Sequence, residues 1–239
     1  MTIALINSGA VQDDTPSITL TAGTNRLLIA IPNMERSAGT FTVSSLAMGG
    51  QSFAKVPNIT AGGNLEATWT NGAGFQHLGA WYANEATIAA MANGNGTITW
   101  SAAPNGTGHF HYSLLSGVDQ SDPFVDSALI TTTSESPLAL PTITGVAGGY
   151  LVGGVSSGNT LETYTFGGDL DNTDIFGSIS SGCASRAAAA TSPSGDANVS
   201  ISTTGPDGRL GLLGITLRPA AGGAAFANPL PLLGVGRAA

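Results

Sequence analysis

Ser200-Ile201-Ser202-Thr203-Thr204-Gly205-Pro206-Asp207-Gly208 runs through Arg209 into Leu210-Gly211-Leu212-Leu213-Gly214-Ile215-Thr216-Leu217. The first part is small and polar, the second apolar, and Asp207-Gly208 stands between them. Asp-Gly and Asn-Gly are strong hairpin signals, because glycine takes positive φ without a Cβ clash. The stretch therefore predicts two strands joined by a turn. The same grammar occurs earlier, where Ile98-Thr99-Trp100-Ser101-Ala102-Ala103-Pro104-Asn105-Gly106 leads into Tyr112 to Leu115. A second pair sets Ala22-Gly23-Thr24-Asn25-Arg26-Leu27-Leu28 against Val146-Ala147-Gly148-Gly149-Tyr150-Leu151-Val152. Either the chain holds two related halves, 1–120 and 121–219, or one hairpin pattern is used twice.

Outward from these hairpins, alternating and β-branched runs recur, among them Thr2–Asn7, Arg26–Pro32, Thr40–Ala47, His77–Ala83, His109–Leu115, Ser127–Thr132 and Tyr150–Val155. Gly, Asn, Pro and Ser separate them, as short β connections require. Helical character is confined to Ala86–Ala92, which follows Asn84 and is short enough to depend on tertiary packing. About 14 to 16 short strands with so little helix predict an all-β chain. The expected architecture is a two-sheet β-sandwich of jelly-roll type over residues 1–219. After Arg218-Pro219, residues 220–239 are mostly Ala, Gly, Pro and Leu. Pro229 and Pro231 there favour an extended arm.

Only 9% of the 239 residues are charged, against about 25% in an ordinary soluble domain. Lysine occurs once, at Lys55, and the net charge is −8. That charge repels phosphate, which argues against a nucleic-acid binder. The 42% apolar content argues against a disordered chain. Cys183 is the only cysteine, so no intrachain disulfide is available. The first residues, Met1-Thr2-Ile3-Ala4-Leu5, lack the basic start of a signal peptide. No apolar run is long enough for a membrane helix. Folding in a reducing cytoplasm is the expectation.

Several groups of reactive side chains need weighing. Gly154-Val155-Ser156-Ser157-Gly158 has the spacing of a nucleophile elbow. The residues after it read as turn and strand rather than the helix an elbow needs, so the segment is taken as a loop. His109 and His111 share one strand face. Zinc would need further ligands, and only His77 and Cys183 remain. The pair is therefore read as a polar strand face, with Phe110 turned into the core. Asp169, Asp171 and Asp174 space carboxylates through a loop as a calcium site does, without the Gly and Glu of an EF-hand. The plainer reading is a turn in which Asp and Asn bond their own backbone. Asp119, Asp122 and Asp126 would suit glycoside hydrolysis only if two faced each other across a cleft, and a turn at Pro123 accounts for them. Trp69, Trp81, Trp100, Phe75, Tyr82 and Tyr112 offer rings for sugar stacking, yet at alternating strand positions they read as core. The residues thus assign no catalytic or cofactor site, and only Asp169, Asp171 and Asp174 stand as metal candidates.

Five strings occur in order: Gly23-Thr-Asn-Arg-Leu-Leu-Ile-Ala-Ile31, Met48-Gly-Gly-Gln-Ser-Phe53, Ala80-Trp-Tyr-Ala83, Ser116-Gly-Val-Asp-Gln120 and Gly214-Ile-Thr-Leu-Arg-Pro219. Together they resemble a β-sandwich domain that recurs among tailed-phage virion proteins and bacterial surface proteins. The resemblance covers residues 15–220 and leaves the arm outside. It brings no catalytic residues and implies a building or adhesion block. The expected function is a non-enzymatic virion structural protein of a tailed phage, a capsid decoration or cement protein assembled in the host cytoplasm. No cofactor, nucleic acid or membrane is expected. The expected partners are the major capsid protein and copies of the chain itself, with a trimer suggested by analogy with capsid threefold positions. Phe226, Leu230, Leu232, Leu233 and Val235 of the arm would lie on a neighbouring subunit. Two rivals stand beside this reading. One is a tail or head-fibre adhesion protein binding host surface glycans. The other is a glycan-active hydrolase using Asp119, Asp122 or the carboxylates of 169–174.

Overall fold

The computed structural model describes residues 2–11, 13–70, 74–103, 109–133, 137–157, 164–170, 178–180, 183–191, 196–203 and 210–221. Nearly all of its regular structure is strand. The first half runs β1 (Ala4–Val11), β2 (Leu27–Arg36), β3 (Val43–Met48), β4 (Gln51–Ser52), β5 (Ala54–Lys55), β6 (Glu66–Thr70), β7 (Phe75–Gly79), β8 (Trp81–Asn84), α1 (Glu85–Ala90), β9 (Gly96–Trp100) and β10 (His109–Ser116). The second runs β11 (Phe124–Thr132), β12 (Leu138–Ala139), β13 (Tyr150–Ser157), β14 (Tyr164–Gly168), β15 (Ser178–Ser180), β16 (Cys183–Thr191), β17 (Val199–Thr203) and β18 (Leu210–Leu217). The one short helix among the described residues is capped by Asn84, whose side chain accepts from Thr87 N at 3.0 Å. Buried Ile88 anchors it to the core.

The described strands divide among four sheets where the sequence predicts two. An inner sheet orders β1-β10-β2-β7-β6, with β8 also against β2 and β5 beside β8. A second inner sheet orders β11-β18-β13-β16-β15. The outer sheets are β4-β3-β9 and β12-β17-β14. Three apolar cores separate the layers. Leu28, Ala30, Phe110 and Leu114 meet Val43, Leu46, Met48 and Ile98 between the first inner sheet and its outer cover. Leu27, Ile29 and Leu115 meet Tyr150, Val152, Leu213 and Ile215 between the two inner sheets. Leu151, Val155, Leu210 and Leu212 meet Leu138, Val199 and Ile201 beneath the other cover. The sequence shows why. Leu27-Leu28-Ile29-Ala30-Ile31 is apolar at every position, so odd and even residues both need a partner layer. All eight residues of β18 are buried for the same reason.

The ladders of the two halves correspond. Leu115 of β10 lies between Leu5 of β1 and Leu27 of β2. Leu217 of β18 lies between Phe124 of β11 and Tyr150 of β13. The register shifts one step on in each edge strand, between Leu5 and Asn7 and between Phe124 and Asp126. In the outer sheets, β9 takes 14–18 on its free side, through Ile98 N to Asp14 O and Ile18 N to Gly94 O. β17 likewise takes 138–143, through Leu140 N to Val199 O and an Ile143–Ala197 bridge. These ladders set Leu27 against Tyr150, whereas the sequence alignment sets it against Leu151. A one-residue slip exchanges the two faces of a strand, and only the observed register keeps Leu27 and its counterpart in the central core.

Other differences have local causes. β2 does not stop at Pro32 but continues to Arg36. Pro32 lacks an N–H, and it sits where the ladder on that side passes from β8 to β7. β16 is absent from the sequence reading, because its alanine-rich run holds a single β-branched residue, Thr191 at its very end, where such residues mark a strand. Pairing with β13 and β15 makes it one.

Candidate functional site

The contact between the inner sheets changes character along its length. Leu27, Ile29 and Ile31 of β2 face the second inner sheet, and the same parity continues as Asn33 and Glu35. Backward along β10 from Leu115, the same face carries Ser113, His111 and His109. Gln76 and Ser156 join them, and all seven polar residues are buried. Gln76 Nε2 donates to Ser156 Oγ at 2.6 Å, tying one inner sheet to the other. Burial holds the imidazoles neutral. It pushes His111 down to about 3, with His109 adding repulsion, and lowers His109 as well. Both faces of β10 are thus inside the protein, because Phe110 packs in the outer core. The expected polar strand face is instead part of an inter-sheet layer. The sequence signal for Asn33, Glu35 and Gln76 was parity, since polar residues continue the alternate positions of an apolar strand.

His77 lies on the opposite face of the first inner sheet. Thr68 Oγ1 donates to Phe41 O at 2.6 Å, so His77 Nδ1 is the donor in its 3.1 Å contact with that oxygen. Nε2 is then an acceptor, buried without a hydrogen-bond partner. It lies 3.3 Å from where a Cβ on Gly79 would stand. Glu66, opposite Gly79 in the ladder, pairs through Oε1 with Lys55. The Lys55 ammonium sits 5.1 Å above the Trp81 ring. Burial, with the Lys55 charge second, pushes His77 down to about 3. Phe41 and Trp100 brace the imidazole, with ring centres at 5.9 and 5.7 Å.

The other sequence candidates are spread through the structure. Asp119 Oδ1 accepts from Ser121 N at 2.8 Å, Ser121 Oγ at 2.7 Å and Asp122 N at 3.2 Å. These bonds, led by the Ser121 hydroxyl, lower its pKa. Asp122 pairs with Arg218 at 3.0 Å. Asp126 accepts from Ser127 N and Thr144 N, each at 2.8 Å. Each carboxylate is engaged in local structure. Asp169 Oδ2 accepts from Asn198 N at 2.8 Å, while Asp171 and Asp174 lie outside the described residues. Among the described residues, no group of three or more His, Cys, Asp or Glu side chains is placed to hold a metal ion. Val155, Ser156 and Ser157 belong to β13, so the segment read as a loop is strand through Ser157. Trp69 and Trp81 are buried, and Trp100, Tyr82 and Tyr112 pack against the cores. Phe226, Leu230, Leu232, Leu233 and Val235 lie outside the described residues.

The edge strands form the remaining feature. β1 and β11 each close one edge of an inner sheet. The edge of β11 is clasped by 57–60: Ser127 Oγ donates to Pro57 O and accepts from Ile59 N at 3.0 Å, and Thr60 N donates to Ser127 O at 3.1 Å. Among the described residues, no backbone group pairs with the outer edge of β1. No helix among the described residues is long and apolar enough to cross a membrane. Comparison with family models, with curated proteins and with solved structures finds no match to this chain.

Proposed function

We propose that this chain is a non-enzymatic structural protein of a tailed-phage virion, a capsid decoration or cement protein that stabilises the shell through subunit contacts. The observation that carries the reading is β1. It is an eight-residue edge strand, Ala-Leu-Ile-Asn-Ser-Gly-Ala-Val, with no charged side chain and no proline. Free proteins usually blunt such an edge with lysine, proline or a covering loop, because it templates pairing with another chain. The low charge of the whole chain acts in the same direction, since few charges need desolvation in a large contact. The phage context comes from the resemblance of the five sequence strings.

The strand order supports a jelly-roll reading of each half. With 14–18 counted as a strand, the first half pairs β1-β10-β2-β7/β8 in one sheet and 14–18, β9, β3, β4 in the other. Each sheet alternates early and late strands, as two interleaved Greek keys do. The second half repeats this as β11-β18-β13-β16 over β12-β17-β14.

Binding to the native lattice would stabilise capsid and decoration together by mass action. Mass spectrometry of purified virions tests the reading. The expected result is this chain at a copy number matching the lattice sites of the major capsid protein. Its absence from virions would overturn the proposal, and a count of only a few copies would place it in the tail or a head fibre.

A further inference from the structure

We propose that Asn93 is a self-modifying site: the folded chain converts this asparagine to isoaspartate and so loosens the outer sheet to which β9 belongs, while Asn95, two residues on, is protected. The inference is independent of the virion reading. Asparagine before glycine readily undergoes this chemistry, because glycine has no Cβ to keep its amide nitrogen away from the neighbouring side chain. The chain holds four Asn-Gly pairs, at Asn71, Asn93, Asn95 and Asn105, of which Asn71 and Asn105 lie outside the described residues. The fold treats the other two differently.

Asn93 is exposed and Gly94 half-buried, in the bend between α1 and β9. Asn93 Oδ1 accepts from Asn95 N at 2.9 Å. That bond folds the side chain back across the Gly94 peptide and brings Cγ toward Gly94 N. It also polarises the amide carbonyl, and the same N–H stabilises the oxyanion formed there on attack. Asn95 is held otherwise. Its Oδ1 accepts from Ser17 Oγ at 2.8 Å, which draws the amide across to segment 14–18. Gly96 is buried, and its N–H donates to Pro16 O at 2.7 Å. Attack by Gly96 N would have to break that bond.

The step needs only the chain and water. Gly94 N attacks Asn93 Cγ and closes a succinimide ring. The Cγ–Nδ2 bond breaks, and ammonia leaves with the Gly94 amide proton. Water then opens the ring. Cleavage at the Asn93 main-chain carbonyl leaves the backbone running through Cγ, one methylene longer, as isoaspartate; cleavage at Cγ gives aspartate. Either product carries a carboxylate where a neutral amide stood.

The extra methylene falls where the backbone has no slack. Ala92 N donates to Gly49 O at 3.0 Å just before the site, and Ile18 N to Gly94 O at 3.0 Å just after it. Gly49 N donates to Asn95 O at 2.7 Å. A Cβ on Gly94 would run into Ile18 O, and one on Gly49 into Asn93 O. Three segments thus meet backbone to backbone. A longer link between residues 93 and 94 cannot keep the bonds on both sides, so isoaspartate loosens the hold of 14–18 and of Gly49 on the start of β9.

Incubation of the full chain in mildly alkaline buffer, followed by peptide mapping with electron-transfer fragmentation, tests the proposal. Isoaspartate should accumulate at Asn93 roughly tenfold or more faster than at Asn95, since breaking the Gly96 bond is worth about that factor. In urea, where both amides are free, the two sites should convert at similar rates. Ion exchange separates the modified chain by its added charge, and its amide exchange should quicken at Ile18 and Gly49 while β18 is unchanged. An Asn93→Gln chain aged in parallel should keep the slow exchange. Equal rates at Asn93 and Asn95 in the folded chain, or an Asn93 that converts in urea but not when folded, overturns the inference. Unaltered exchange at Ile18 and Gly49 in the modified chain overturns the loosening.

Discussion

Trp69 of β6 fills the space that a side chain at position 211 of β18 would need, because a Cβ on Gly211 would lie 2.3 Å from Trp69 Cη2. The ring and the bare backbone belong to opposite inner sheets, so the contact sets how closely those sheets approach. Gly211→Ala should cost about 1–3 kcal/mol, the usual penalty for overpacking, measured by urea unfolding. Trp69→Phe in that background shortens the ring and should recover part of the loss. An identical loss with Trp or Phe at 69 would show that the two residues do not meet.

Gln76 and Ser156 make the polar counterpart of that contact, 2.6 Å apart and buried. Ser156→Ala deprives a buried amide of an acceptor and should destabilise by about 1–3 kcal/mol. Replacing both partners, as Gln76→Leu with Ser156→Ala, should cost less than the two single changes added together. Simple additivity in the double-mutant cycle would contradict a direct coupling.

His77 and His111 are neutral in the fold, held down to about 3 by burial, whereas an unfolded histidine titrates near 6.5. Between those values the unfolded chain binds protons that the folded chain excludes. Stability is therefore full above about pH 6.5 and falls below it, by about 1.4 kcal/mol per pH unit for each histidine, levelling near pH 3. Glu85 and Asp119 have lowered values, set first by the side-chain bonds from Arg26 and Ser121. Their contributions are lost only in the carboxylate range, so pH 6.5 to 5 isolates the histidines. Urea midpoints should drop across that window, and His77→Gln should flatten the slope. A flat wild-type profile would mean that the imidazoles are accessible to protons in the folded state.

Ser127 holds the 57–60 segment on β11 through three hydrogen bonds, two of them at its side chain, which donates to Pro57 O and accepts from Ile59 N. Ser127→Ala should cost about 1 kcal/mol or somewhat more. The loss should be local. Amide exchange at Ile59 and cleavage near Gly62-Gly63, both at positive φ, should quicken before global unfolding changes. Unaltered exchange at Ile59 would show that the clasp depends on other contacts.

The sequence alone determined the strand grammar: turn signals, alternating runs and a chain almost without helix or charge. Those are short-range properties, because a hairpin turn and the parity of a strand depend on residues a few positions apart. It also placed the rings of Trp69 and Trp81 in the interior, and that of Trp100 against a core. Only the tertiary structure decided what covers each face. His109 and His111 share a strand face from spacing alone, but that face is buried because a second inner sheet lies across it. Ser156 has the spacing of an exposed nucleophile, yet it stands inside β13 and bonds Gln76. Cys183–Thr191 carries no local strand signal and becomes β16 through the ladders of β13 and β15. The reason is common to all three. Alternation says that a face is shared, whereas burial and pairing depend on layers that residues far apart in the chain bring together.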